Sequence, residues 1–277
     1  MQANQLIIPP RPTVLLEIQK LMQTEDTDLQ RITQLIKQDV GLYSVILSCV
    51  NSPWMGLRQE VSNIETAITL MGLKQVINLL QAVLIRASFN DIPVLESFWD
   101  AATDVAAISQ ALAKRYTTLN PDDAYSTGML HNAGIPIMLL NFDGYGKFIT
   151  QNAQRPINEL CVLERQSFET DHYLQGALMA KTWHMGNEVS LAIRYQPIAQ
   201  SVLTGRKELS ADICSLLAVL TLAKDISHEY QDYWKTEVST FNSSCSEAAC
   251  DYLDIPASEY AEFKEDAIND ILSDKVA

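Results

Sequence analysis

The chain has 277 residues, of which 47% are apolar and 19% charged, a composition that excludes an intrinsically disordered protein. A chain of this size buries enough surface to need no disulfide or metal staple. Twenty Lys and Arg against 34 Asp and Glu leave a net charge of −14, which disfavours nucleic acid and anionic lipid as partners, since both bind through clustered cations.

The N-terminal segment has no basic residue ahead of an apolar stretch, so no secretory leader is expected. The longest apolar run, residues 216–220, is far shorter than the roughly 20 residues that span a bilayer. Five cysteines without a C-x-x-C pair fit reduced thiols in the cytoplasm.

Helical signals follow one another along the chain. Thr27-Asp28-Leu29-Gln30 reads as a capping box ahead of Leu29, Ile32, Leu35, Ile36 and Val40 at helical spacing. A short helix is predicted over 42–50, stopped by Asn51-Ser52-Pro53. Ser62-Asn63-Ile64-Glu65 is a second capping box, and Gly72 is placed to end its helix. Helices are then predicted over 73–89 and 94–116, and one opening at Asn120-Pro121 with a turn near Gly134 or Pro136. Further helices are expected over 157–168, over 170–183 with Thr170 as N-cap, and over 187–195. Two more are expected over 210–230 and 256–272. No segment alternates with period two for long enough to form a strand, so the fold class is all-α.

Phosphate-binding glycine loops, G-x-S-x-G and H-E-x-x-H are all absent. The buried-looking Cys49 and Cys214 read as core residues, and His184 and His228 as surface or boundary residues. Gly128-Met129-Leu130-His131-Asn132-Ala133-Gly134 resembles the G-x-L-H-D-x-G signature of the HD superfamily of metal-dependent phosphohydrolases. In that superfamily an adjacent His and Asp bind a divalent ion, with an upstream His and a downstream Asp completing the shell.

The resemblance extends to the HDOD domain, the HD-related output domain of bacterial signalling proteins. Its carriers are Pro9-Pro10-Arg11-Pro12, Gln38-Asp39-Val40-Gly41-Leu42, Val50-Asn51-Ser52-Pro53 and the stretch from Ile64 to Gly72. Phe98-Trp99, Glu164-Arg165, Thr170-Asp171-His172 with Gly176-Ala177, Trp183 and Ala192-Ile193-Arg194 continue it in the family's order. It implies a helical HD-like fold over residues 6–204, with an N-terminal lobe at 6–91 packed on an HD-like lobe at 92–204, followed by C-terminal helices at 205–277.

The departures bear on activity. Ala101 stands where W-x-H-S places a histidine, Asn132 replaces the aspartate of His-Asp, and Tyr195-Gln196 replace the paired histidines of R-x-H-H. An alanine cannot ligate, and a neutral amide is a poorer partner for a hard dication than a carboxylate. His131 alone of the ligand set remains, so neither metal nor cofactor is expected and no residue is assigned as catalytic.

The resemblance implies a non-catalytic signalling module that binds a signalling protein, with a small ligand in an inter-lobe cleft left open, as is a homodimer. The alternative is a metal-dependent phosphohydrolase with an atypical ligand set drawn from Asp100, Asp104 or Asp171. Asp100 and Asp104 share a helix face at i, i+4. Asp171 and His172 read as cap and inter-helix hydrogen bonds, and Arg194 as a salt bridge or an anion anchor. Trp54 reads as a plug over helix ends or as a partner anchor.

Overall fold

Helices make up most of the described residues in the computed structural model, and no strand occurs among them. Those residues are 6, 8, 13–22, 28–38, 43, 46–47, 50–51, 61–87, 96–152, 155–233 and 243–276. They divide between two compact units, one of Met1–Pro9 with Val94–Asn269 and one of Pro10–Pro93 with Asp270–Ala277.

The smaller unit contains α1 (Thr13–Met22), α2 (Leu29–Gln38), α3 (Ile64–Met71) and α4 (Leu73–Ala87). Asp28 Oδ1 accepts from the Arg31 backbone N–H at 2.9 Å, so it caps α2; Thr27 lies outside the described residues. Asn63, not Ser62, caps α3, with its Oδ1 2.7 Å from the Thr66 N–H. The predicted register was one residue early, because serine and asparagine accept the same bond and only one fits the turn. Gly72 ends α3 at φ +85°, a conformation that costs a side chain strain. Ile32, Ile36, Ile64, Val76 and Leu80 are buried, the inward stripe expected from their helical spacing, and Ile18 of α1 is buried as well. Asn51 fastens the connection to α3: its amide donates to Val61 O at 2.9 Å and accepts from Val61 N–H at 2.6 Å.

The larger unit holds α5 (Glu96–Tyr116), α6 (Pro121–Leu130), α7 (Gly134–Asn141), α8 (Tyr145–Asn152), α9 (Ile157–Phe168), α10 (His172–Thr182) and α11 (Asn187–Tyr195). A 3-10 turn at Gln196–Ile198, α12 (Ala199–Leu203), α13 (Ala211–Tyr233), α14 (Ser243–Tyr252) and the first part of α15 (Ala257–Val276) follow. The apolar run of α13 forms the centre, with Leu216, Leu217, Val219, Leu220, Leu222 and Ile226 buried against α5, α6, α11 and α14. Gly128 permits the close crossing of α5 and α6, since a Cβ there would stand 2.6 Å from Ala106 Cα.

The expected turn at Gly134 or Pro136 lies earlier, at His131–Ala133, and Pro136 sits inside the first turn of α7. Proline fits there because no intrahelical bond is asked of its nitrogen. The N-cap of α10 is Asp171 in place of the expected Thr170. Helices α1, α7, α8, α12 and α14 are additions to the expected set, and α15 extends beyond it.

Candidate functional site

The corner between α6 and α7 holds His131. Asn120 caps the start of α6 through the Asp122 N–H, Pro121 takes the first helical position, and His131 closes the far end. His131 Nδ1 lies 2.6 Å from Gly128 O. A carbonyl can only accept, so Nδ1 carries the proton and Nε2 keeps its lone pair. The residue is 6% exposed, and burial pulls its pKa down from 6.5 to about 3; the Lys224 ammonium and the His172 ring act in the same direction. His131 is therefore a neutral imidazole at physiological pH.

Its backbone carbonyl accepts from Gln196 Nε2 at 2.7 Å, and Gln196 Oε1 accepts from Lys224 Nζ at 3.1 Å. Gln196 stands at the start of the 3-10 turn and Lys224 on α13, so two later elements hold this corner. Lys224 is half-buried as a residue with its ammonium enclosed, and burial lowers its pKa from 10.5 to about 8. Asn132 follows in the turn, its amide oxygen buried without a hydrogen-bond partner among the described residues. Ala101 is half-buried on α5, and Asp104 is buried one turn along the same helix. The side chain of Asp100 and all of Trp54 lie outside the described residues, as do Cys49 and the side chain of His228.

A second polar cluster joins α8, α9, α10 and α11. Glu164 is fully buried. Its carboxylate accepts from Tyr145 OH at 2.5 Å, from the His172 backbone N–H at 3.2 Å, and from His172 Nδ1–H at 2.7 and 2.8 Å. The buried Tyr145 phenol is pushed to higher pKa by desolvation and then by the Glu164 charge, so it stays a donor. Asp171 is also fully buried. Its Oδ1 caps α10 at 2.8 Å from the Leu174 N–H, its Oδ2 receives Arg165 Nε at 2.7 Å, and Arg194 Nη1 approaches Oδ1 at 3.6 Å. Gly134 lets α7 meet the start of α10 here: a Cβ on it would fall 1.7 Å from His172 O.

The structure thus joins Asp171 to Arg194 and places His172 on Glu164. Trp183 is fully buried, whereas His184 is exposed with a left-handed φ of 56°.

A family model described as the HDOD domain matches residues 8–198. The chain belongs to the HDOD domain family. An uncharacterized protein of Treponema pallidum (strain Nichols) is 30% identical over 193 residues, which is 68% of this chain and 37% of that protein's length. The HDOD chain therefore spans little more than a third of this curated relative. Among solved structures, an HDOD domain protein with unknown function from Geobacter sulfurreducens superposes with a TM-score of 0.70 at 19% identity, covering 98% of this chain and 92% of its own. A protein from Shewanella amazonensis SB2B, provisionally named a phosphohydrolase, superposes with a TM-score of 0.68 at 22% identity, covering 94% of this chain and 90% of its own. At these identities the likeness establishes the HD-related helical fold.

A divalent ion, which HD chemistry uses, does not fit the side chains at the His131 corner. Among the described residues no three His, Cys, Asp or Glu side chains converge to hold a metal. Ala101 presents a methyl group and Asn132 a neutral amide, while His131 has an enclosed ammonium in its vicinity. Asp171 and Glu164 spend their oxygens on a helix cap, guanidinium groups, a phenol and an imidazole.

Sequence reasoning quoted Glu164, Arg165 and Gln196 only as family positions, and it passed over Tyr145 and Lys224 as polar residues with a role. One signal was available for Lys224: it is the lysine that interrupts the apolar face of α13 directly after Leu222 and Ala223. A cation in that place must either reach solvent or find an internal acceptor.

Proposed function

We propose that this HDOD chain is a non-catalytic regulatory module that acts by binding a protein partner in signal transduction, with its HD centre retained as structure. The observation that carries the reading is the state of His131, a neutral, enclosed imidazole whose donor nitrogen is spent on Gly128 O. Ala101 and Asn132 offer it no anionic co-ligand, so it lacks the means to hold the ion that activates water in HD chemistry. The family assignment supports a signalling role, and the two solved relatives support the scaffold on which it would be built.

The experiment has two arms. The purified full chain, supplied with Mn²⁺ or Mg²⁺, is assayed on p-nitrophenyl phosphate, bis-p-nitrophenyl phosphate and cyclic dinucleotides; turnover no higher than that of buffer is expected. In parallel, the tagged chain is used to capture partners from its own cells, and each is re-tested with purified components for a saturable 1:1 complex. Metal-dependent turnover that disappears in His131→Ala would replace this reading with the hydrolase.

A further inference from the structure

We infer that Lys224 is a built-in cation at the HD centre: its ammonium supplies the positive charge beside His131 within the chain, and that charge keeps a divalent metal out. The inference rests on the proposed reading of a metal-free centre and deepens it by naming the group responsible.

Helix α13 packs against α5, α6 and α11, the elements that carry or lead into Ala101, His131 and Gln196. From it Lys224 Nζ donates to Gln196 Oε1 at 3.1 Å, and Gln196 Nε2 donates to His131 O at 2.7 Å. The ammonium is thus two hydrogen bonds from the end of α6. A helix C-terminus bears partial negative charge on its unpaired carbonyls, so a cation relayed through a side-chain amide is favoured there. The oriented Gln196 amide fixes the polarity of the relay: its oxygen faces the ammonium and its nitrogen faces the carbonyl.

The carboxylate that could reverse this arrangement is turned elsewhere. Asp225 is the next residue on α13, and adjacent helical positions point about 100° apart. Its Oδ2 receives Tyr260 OH at 2.7 Å and Lys264 Nζ at 2.9 Å on the α15 side. Among the described residues no carboxylate lies within ion-pair distance of Lys224, whose ammonium is held there by the Gln196 amide oxygen. An enclosed ammonium with no carboxylate beside it among the described residues repels a dication brought to the same centre, and the low local dielectric magnifies the repulsion. His131 Nε2, left as the acceptor nitrogen by the bond from Nδ1–H to Gly128 O, is thereby denied its ion.

The test restores donors with and without the lysine and reads Mn²⁺ binding by calorimetry on chelator-stripped full chain. Two imidazoles and a carboxylate form a set that binds Mn²⁺. The unmodified chain should show no 1:1 binding, and Ala101→His with Asn132→Asp should remain weak. Adding Lys224→Met should tighten binding at least ten-fold, whereas adding Lys224→Arg, which keeps the charge, should not. Equal affinity with lysine, methionine and arginine at 224, or 1:1 binding by the unmodified chain, overturns the inference. Should the Lys224→Met combination fail to fold by circular dichroism, Lys224→Gln takes its place in the same comparison, with tighter binding expected and affinity equal to that of the lysine form overturning the inference. Hydrolase activity in the unmodified chain would end the broader reading independently of these affinities.

Discussion

Glu164 offers the sharpest test of how the larger unit is held together. It is a fully buried carboxylate with three donor groups directed at it: the Tyr145 phenol, the His172 backbone N–H and the His172 Nδ1–H. Glu164→Ala removes the acceptor and leaves all three donors enclosed. An unsatisfied buried donor costs about 1–3 kcal/mol, but relaxation and water entry make three such losses less than additive. The expected loss is therefore about 4 kcal/mol. For a cooperative unit of this size each kcal/mol shifts the melting temperature by about 2–4 °C, so a fall of about 8–16 °C is predicted.

Glu164→Gln keeps the shape and one acceptor oxygen. The phenol can turn to accept from the new amide, and His172 can adopt its other tautomer. Its expected cost is about 1–2 kcal/mol. Calorimetric and urea unfolding of both variants measure the difference, and a double-mutant cycle with Tyr145→Phe measures the coupling across the 2.5 Å bond. Equal losses for alanine and glutamine, or an alanine variant within about 0.5 kcal/mol of the unmodified chain, would refute the account of Glu164 as the acceptor that organises this cluster.

Gly134→Ala puts a Cβ 1.7 Å from the His172 carbonyl oxygen and should cost about 3 kcal/mol in urea unfolding, whereas Gly146→Ala, with 3.4 Å to the nearest side-chain atom, should be neutral or slightly stabilising. Asp171→Ala should cost about 1–2 kcal/mol, mostly through the lost cap on Leu174, because Arg165 and Arg194 are partly exposed; Asp171→Asn should recover about half of it by thermal melting. The Lys224 pKa is lowered to about 8, so the folded chain holds fewer protons there than the unfolded one between pH 8 and 10.5. Stability relative to Lys224→Met should rise by about 3 kcal/mol across that window in pH-dependent unfolding, and a flat difference would refute it. His131, with its pKa lowered to about 3, contributes stability that is complete above pH 6.5 and is lost as pH falls from there toward 3; His131→Ala should flatten that part of the acid unfolding curve.

The long helices were legible because their apolar residues repeat with the helical period and their ends carry local signals. Helix α9 at Ile157–Phe168 and α11 at Asn187–Tyr195 agree with the expected bounds for that reason. Short helices were not. Gly134–Asn141 reads Gly-Ile-Pro-Ile-Met-Leu-Leu-Asn, apolar on every side and holding a proline, so periodicity is silent and the proline suggests a turn. Thr170 and Asp171 are both good caps, and local rules do not separate them. Asp171 takes the place where its second oxygen meets Arg165, six residues earlier, with Arg194 approaching from α11. The polar centre was harder for the same reason at greater distance. Gln196 reaches His131 O across 65 residues and Lys224 reaches Gln196 across 28, so neither bond leaves a trace in local spacing.

The two polar clusters answer the same electrostatic problem in opposite ways. At Glu164 and Asp171, buried negative charge is met by donors from four helices, and every oxygen has a short contact. At His131 the imidazole is kept neutral and the buried charge is a lysine whose single hydrogen-bond partner among the described residues is an amide. A satisfied carboxylate network resists rearrangement, because any movement strands several groups at once. An ammonium held by one amide oxygen is bound much less firmly, and its cost is reduced by anything that brings an anion near or opens a path to water. The Glu164 network therefore belongs to the rigid frame of the HDOD unit. The Lys224–Gln196–His131 relay, joining the end of α6 to α13, is the part of this unit where a change in charge would have the largest structural effect.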